Sequence, residues 1–310
     1  MHRHLVPNTA RATVDHPAIR KDAHLKAIYS FVIDGDKKFV SQTRVFLTTL
    51  LATGVEPPCV VAHYTPSASV EARELAASFG VELRPLEPFL DGKYCNKLAQ
   101  LPLLIARQTD VFVLCDTDLA FLQGIDSLFS DTRIRAKPVD LPNPPIDILE
   151  QLRFARKIER TPRIVETSCD RQPTYSVNCN GGLYIIPYKL ATQICYAWRT
   201  ETILLGVHKE ILGTYFHHAD QIGFAMAMLS CGNDVEEIPI EYNFPIHLGD
   251  RLEGLSFEEP KVLHYHWMQD DDGLLKTTGN PIVDKAIAQV NESLQPNSSE
   301  RFFAAPGACA

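Results

Sequence analysis

The chain lacks any apolar run approaching the roughly 18 residues that a membrane-spanning helix needs, so its 310 residues predict no transmembrane segment. Peripheral contact with a membrane surface stays open. The opening residues "MHRHLVPNTARATVDHP" have no apolar centre of the kind a secretory signal carries. Eight cysteines form no C-x-x-C pair and no zinc-like spacing. Several of them (Cys59, Cys115, Cys179, Cys195) fall in apolar runs, where a reduced, buried thiol is expected. These absences together predict a cytoplasmic, reduced protein. Excess positive charge is lacking too: the formal net charge of −8 argues against nucleic acid as the main partner. No internal repeat is found.

What is present is ordinary core material. A hydrophobic fraction of 45% against 22% charged residues suffices for a sizeable globular core. "AIYSFVI" from Ala27, "PCVVAHY", "VELRPL" and Val111–Cys115 read as short buried strands. "SQTRVFLTTLLATG", a stretch from Pro66 to Gly80, and "NKLAQLPLLIAR" read as the helices between them. Alternation of this kind predicts an α/β domain with a mostly parallel central sheet flanked by helices. "AKPVDLPNPP" reads as loop, "IDILEQLRFARKIER" as helix and "SVNCNGGLYIIP" as a strand entered through Asn180-Gly181-Gly182. A helix from about Asp220, extended runs "IPIEYNFPI" and "PKVLHYHW", and a terminal helix "NPIVDKAIAQVNESL" complete the pattern. We expect a polar arm over 1–25, a single domain over 26–295 and a flexible tail over 296–310.

In open α/β sheets ligands meet the carboxyl ends of the strands, and two acidic clusters sit at such ends. "DGD" follows the first strand, and "DTD" places Asp116 and Asp118 after the strand Val111–Cys115. Two carboxylates at i and i+2 repel each other unless something shares their charge. A hard divalent cation does so, and one held by few carboxylates keeps positions for substrate phosphates. In "VLHYHW", strand alternation puts His264 and His266 on one face. An imidazole ligand from that face would favour Mn²⁺ over Mg²⁺.

The ordered blocks are apolar strand–Asp–x–Asp, Asn–Gly–Gly–apolar strand, Asp–Gln opening a helix, Tyr–Asn–Phe, and apolar–His. Over about residues 27–268 they resemble retaining glycosyltransferases of the GT-A fold. The likeness is to the family 8 group, which includes lipopolysaccharide α-galactosyltransferases and glycogenin. The resemblance implies a Rossmann-like nucleotide-diphospho-sugar transferase fold, with a nucleotide-binding half near 26–120 and a sugar and acceptor half near 121–295. It implies that Asp116 and Asp118 hold Mn²⁺ (or Mg²⁺) against a diphosphate, with His264 as third ligand and His266 as the alternative. In "DGDKKF", Asp34 or Asp36 would accept a base N–H and Phe39 would stack on the ring. Lys97 would contact the donor, Asn180 and Gly181 would line the donor sugar, and Asp220 and Gln221 would lie near the anomeric carbon.

The implied activity is transfer of a hexose from a nucleotide sugar, a UDP-hexose, to a saccharide, glycolipid or protein acceptor, with retention. One block departs from the family pattern His–x–x–Gly–x–x–Lys–Pro–Trp. Trp267 stands at the glycine position, and Lys276, the candidate for the diphosphate contact, lies beyond the expected spacing. That departure supports an alternative, a sugar-nucleotide-binding or interaction protein without turnover on the same scaffold. A phosphatase with an Asp–x–Asp nucleophile is a further alternative. It fits less well, because three strands precede the motif and Ala120 stands where Thr or Val is usual.

Overall fold

The computed structural model describes residues 25–252 and 254–295; the predicted arm, apart from Leu25, and the predicted tail lie outside the described residues. The strands among the described residues are β1 (Ala27–Ile33), β2 (Val60–Tyr64), β3 (Glu82–Pro85), β4 (Val111–Cys115), β5 (Leu119–Phe121), β6 (Ile134–Pro138), β7 (Ile164–Glu166), β8 (Pro173–Tyr175), β9 (Cys179–Pro187), β10 (Val235–Glu237), β11 (Phe244–Pro245) and β12 (Val262–His264). Seven of them form one sheet in the order β10-β6-β9-β4-β1-β2-β3. All its pairings are parallel except those of β9, which runs antiparallel to both β4 and β6. A second sheet, β11-β12-β5, is entered directly from the loop after β4.

Alternation along the central strands separates two cores. Ile28, Phe112, Leu114, Tyr184 and Ile186 point to the face covered by the helices Tyr188–Leu205 and Ala219–Ser230. Tyr29, Phe31, Val113, Leu183 and Ile185 point the other way, onto Phe46, Leu47 and Leu50 of the helix Lys38–Ala52. Residues buried on both faces explain why β4 reads "VFVLC" with no polar member. A third cluster joins Ala120, Phe244, Leu263 and Tyr265 to the terminal helix Pro281–Ser293. No helix among the described residues is long and apolar enough to cross a membrane.

Several elements differ from the sequence expectation. The helix expected from Pro66 begins at Val70, because a turn closes from Thr65 to Ala68 and Ser69 caps the Ala72 N–H at 3.1 Å. "NKLAQLPLLIAR" is a 3₁₀ segment, Tyr94–Ala99, followed by a short α-helix, Gln100–Leu104. Pro102 falls in the first turn of that helix, where its missing N–H costs nothing. Part of the run read as loop, Ala136–Pro138, ends β6, and Pro138 is tolerated where the register against β9 shifts. "IPIEYNFPI" is mostly a 3₁₀ turn, Ile240–Asn243, with only Phe244–Pro245 extended.

The two helices on the first face pack through Gly223. A Cβ there would meet Thr202 Oγ1 at 2.0 Å and its Cα at 3.0 Å. Gly223→Ala is therefore expected to cost about 1–3 kcal/mol in urea unfolding. Gly206→Ala, which meets nothing within 4 Å, should change stability by less than about 0.5 kcal/mol. Equal behaviour of the two variants would refute this packing.

Candidate active site

The loop Asp116–Asp118 is fixed from three directions by its backbone and by Thr117. The Asp116 N–H donates to Gly182 C=O at 2.9 Å, and the Tyr265 N–H donates to Asp118 C=O at 3.1 Å. Thr117 Oγ1 donates to Val32 C=O at 2.7 Å, tying the loop to the end of β1. The loop thus lies where the carboxyl ends of β1 and β4 meet the reversed strand β9 and the strand β12.

Asp118, His264 and His266 converge: one ligand atom from each lies within 4.8 Å of the others. His264 Nε2 and Asp118 Oδ1 face each other 3.3 Å apart, both buried and with no further hydrogen-bond partner. Burial opposes the Asp118 charge, but the facing His264, with His266 and Lys38 beyond, holds its carboxyl well below the usual range. A buried oxygen and imidazole nitrogen with no partner beyond each other, beside His266, fit a borderline divalent cation. The histidines do not converge by strand alternation as expected. β12 ends at His264, and His266 adopts a left-handed conformation, φ 50°, in the turn closed by the Met268 N–H on Tyr265 C=O at 2.8 Å.

Asp116 does not join that cluster; it pairs with Lys97. Lys97 is buried, donates also to Gly181 C=O, and sits beside Asp220. Burial works against its charge, yet Asp116 and Asp220 raise its pKa above the usual lysine value. Asp220 is itself buried at the start of its helix, with Oδ1 unpartnered. Burial pushes its pKa up to about 7, against the pull of Lys97. Gln221 is half-buried, and its side-chain amide has no partner among the described residues. A Cβ on Gly181 would lie 3.0 Å from Lys97 Nζ, 3.4 Å from Asp220 Oδ2 and 3.4 Å from Gln221 Cγ, so all three side chains face that glycine.

The remaining candidates divide. Asp34 is saturated: Oδ1 accepts from Thr65, Ser67 and the Gly35 N–H, each at 2.8 Å, and Oδ2 from Asn96 at 3.1 Å. Asp36 is exposed, and its carboxylate accepts the Lys38 N–H at 3.2 Å. Phe39 is half-buried under Lys38. Asn180 has both ends of its amide engaged by protein, with Asp140 at 2.6 Å and with Gly182 N and Asn243 at 2.8 and 3.1 Å. Lys276 is exposed, but its N–H pairs with Met268 C=O at 2.9 Å, which returns it toward the His266 turn despite its spacing.

Sequence reasoning missed His247, whose ring packs 3.8 Å from that of His266 with a buried, unpartnered Nδ1. It also missed Asp140 and gave Asn243 no role. Only the Tyr–Asn–Phe block signalled Asn243.

The Asp220 carboxyl yields a pH prediction. Its native pKa of about 7 exceeds the ordinary 3.8, so on raising the pH the unfolded chain releases this proton first. Stability is then lost between about pH 4 and 7, by at most about 1.4 kcal/mol per pH unit. Asp220→Asn should remove that part of the slope in urea titrations; an unchanged slope would contradict the assignment.

No model of a known protein family matches the chain, and no curated protein matches it in sequence. Solved structures do match. Mouse xyloside xylosyltransferase 1 in its apo form superposes with a TM-score of 0.51 and 13% identity, covering 76% of this chain and 96% of that one. An active-site mutant of LgtC gives 0.52 and 13%, covering 90% and 97%. The bifunctional glycosyltransferase WbbM in its apo form gives 0.52 and 11%, covering 92% of this chain and 52% of that one. At such identities the likeness is one of fold, and this chain has the GT-A fold of those sugar transferases.

Proposed function

We propose that the protein is a metal-dependent glycosyltransferase that moves a hexose from a nucleoside-diphosphate sugar, a UDP-sugar, to a saccharide, glycolipid or protein acceptor. The observation that carries this reading is the buried pair His264 Nε2 and Asp118 Oδ1, with no partner beyond each other, beside His266 at the carboxyl end of β4. Asp118, His264 and His266 would hold Mn²⁺ (or Mg²⁺), with Asp116 on the same loop as a further ligand. The ion supplies Lewis-acid stabilisation of charge on the departing diphosphate.

The chain's own residues divide the remaining work. Lys97 places a fixed positive charge between Asp116 and Asp220, on the side where leaving-group charge develops. Lys276 adds a second cation from the hairpin opposite Met268. Asp36, exposed where Asp34 is saturated, accepts the base N–H, and Phe39 stacks on the base. Residues 26–120 thus take the nucleotide, and 121–295 the sugar and acceptor. Gly181 leaves room for the sugar against Asp220, which hydrogen-bonds its hydroxyls. Gln221 presents a neutral amide to the anomeric centre; LgtC's active-site mutant likewise replaces a glutamine.

An amide is a poor nucleophile, so we infer front-side transfer with retention rather than a glycosyl-enzyme. The acceptor oxygen bonds to the anomeric carbon, the bond to the diphosphate breaks, and the acceptor proton passes to the leaving phosphate. The seven described cysteines are free, a state that a reducing compartment such as the cytoplasm maintains.

Asp118→Asn should lower Mn²⁺-dependent UDP release by about 100-fold or more while circular dichroism stays that of the parent chain. Asp116→Asn should act in the same direction. Full activity in both variants would end the proposal. A thermal-shift screen of nucleotide sugars with and without Mn²⁺ identifies the donor, since the cognate ligand stabilises the folded state by mass action.

A further inference from the structure

A chain of buried hydrogen bonds leads from Lys137 to His264. Lys137 and Asp140 form an ion pair, with 1% and 6% of each residue exposed. Ser168 Oγ also donates to Asp140 Oδ1, at 2.6 Å. Burial opposes the Asp140 charge, but Lys137 and Ser168 hold its carboxyl below the usual range. Asp140 is therefore ionised and accepts only. The Asn180 side chain lies 2.6 Å from its Oδ2 and must turn Nδ2 toward it. The Asn180 oxygen is then directed at the Gly182 N–H, 2.8 Å away, which is a donor only. Two one-way neighbours thus fix the Asn180 amide from opposite ends.

The same oxygen takes the next hydrogen bond, from Asn243 Nδ2 at 3.1 Å. That turns the Asn243 oxygen toward His264 Nδ1, at 2.9 Å. Only an N–H satisfies an amide oxygen there. With that hydrogen bond made, a neutral His264 ring carries its proton on Nδ1 and its lone pair on Nε2, the atom 3.3 Å from Asp118 Oδ1.

We propose that Lys137, Asp140, Asn180 and Asn243 form a tautomer relay that holds the His264 lone pair on Nε2, ready for a metal ion. Asn180 and Asn243 are positioning residues. Neither belongs to the ligand cluster, and Asn180 reaches His264 only through Asn243. This inference rests on reading the cluster as a metal centre. It also gives Asn180 a different task from lining the donor sugar. In proteins generally, the partner that orients a ligating imidazole is worth about 10- to 100-fold in metal affinity.

The test reads the ring directly in the metal-free full chain. Nitrogen-15 labelling of histidine, at a pH where the ring is neutral, reports which nitrogen carries the proton. The parent chain should show His264 protonated on Nδ1 alone. Asn180→Ala frees the Asn243 amide to rotate, and a mixture of tautomers should appear, with Mn²⁺ affinity by calorimetry about 10-fold weaker. Asn243→Ala should do the same and serves if Asn180→Ala does not fold. Asn243→Asp keeps an acceptor facing Nδ1 and should restore the single tautomer.

An unchanged single tautomer in both alanine variants, or a parent ring protonated on Nε2, would overturn the relay. Asn180→Ala that lowers nucleotide-sugar affinity without altering the tautomer would return Asn180 to the donor site and overturn it equally. If the tautomer pattern holds but the parent chain binds no Mn²⁺, the relay is supported and the metal reading of the proposed function falls alone.

Discussion

Everything at the site depends on two positions that carry no side chain. β9 crosses the carboxyl end of β4 so closely that a Cβ on Gly182 would lie 2.8 Å from the His264 ring and 3.0 Å from Asn243 Oδ1. These are separations that real Cβ atoms do not adopt without displacing a neighbour. At Gly181 the neighbours are Lys97, Asp220 and Gln221. Neither glycine has a left-handed backbone; they are needed for room, not for conformational freedom. Because that strand comes so near, its carbonyls can hold the Asp116 N–H and the Lys97 ammonium. The acidic loop, the lysine and the imidazole are then arranged around one stretch of bare backbone.

The electrostatics show why this arrangement is poised rather than at rest. A single buried ammonium, Lys97, balances Asp116 and draws on Asp220, while Asp118 leans on imidazoles. His266 has its pKa pushed well below the ordinary histidine value, by burial first and by His264 second, and His247 is lowered to about 4 in the same way. Neutral rings suit metal ligation, since a protonated nitrogen has no lone pair to give. Buried groups are usually satisfied by the protein itself, and the chain does this thoroughly around Asp34 and Asp140. At one end of the sheet Asp220 Oδ1 is left without a partner, and Asp118 Oδ1 and His264 Nε2 have only each other.

The parts that could be read from the sequence are those with short-range causes. Fully apolar strands such as β4, a terminal helix with Asn280 as cap, and an acidic doublet at a strand end all announce themselves within a dozen residues. The reversal of β9 could not be read, because direction in a sheet is set by which neighbour a strand meets and not by its own composition. Asp140 was hidden in a proline-rich run that reads as loop. Its role emerges only through Asn180 and Asn243, which are far away in sequence and carry no spacing rule. Of the acidic doublet, only Asp118 stands with the imidazoles. The pattern of residues supplied the metal-type chemistry, but the turn at His266, with φ 50°, decided the geometry.

The pairing of β5 with β12 carries a consequence for how the protein comes into being. Asp118 emerges early in the chain, while the imidazoles that face it arrive near its far end, joined to it through the antiparallel ladder Leu119 to His264. During synthesis the carboxylate waits without its counterparts until the last third of the molecule leaves the ribosome. A product cut short before that point carries the acidic loop without the imidazoles that face it. The cluster of Asp118 with the two imidazoles can therefore form only after β12 has been made.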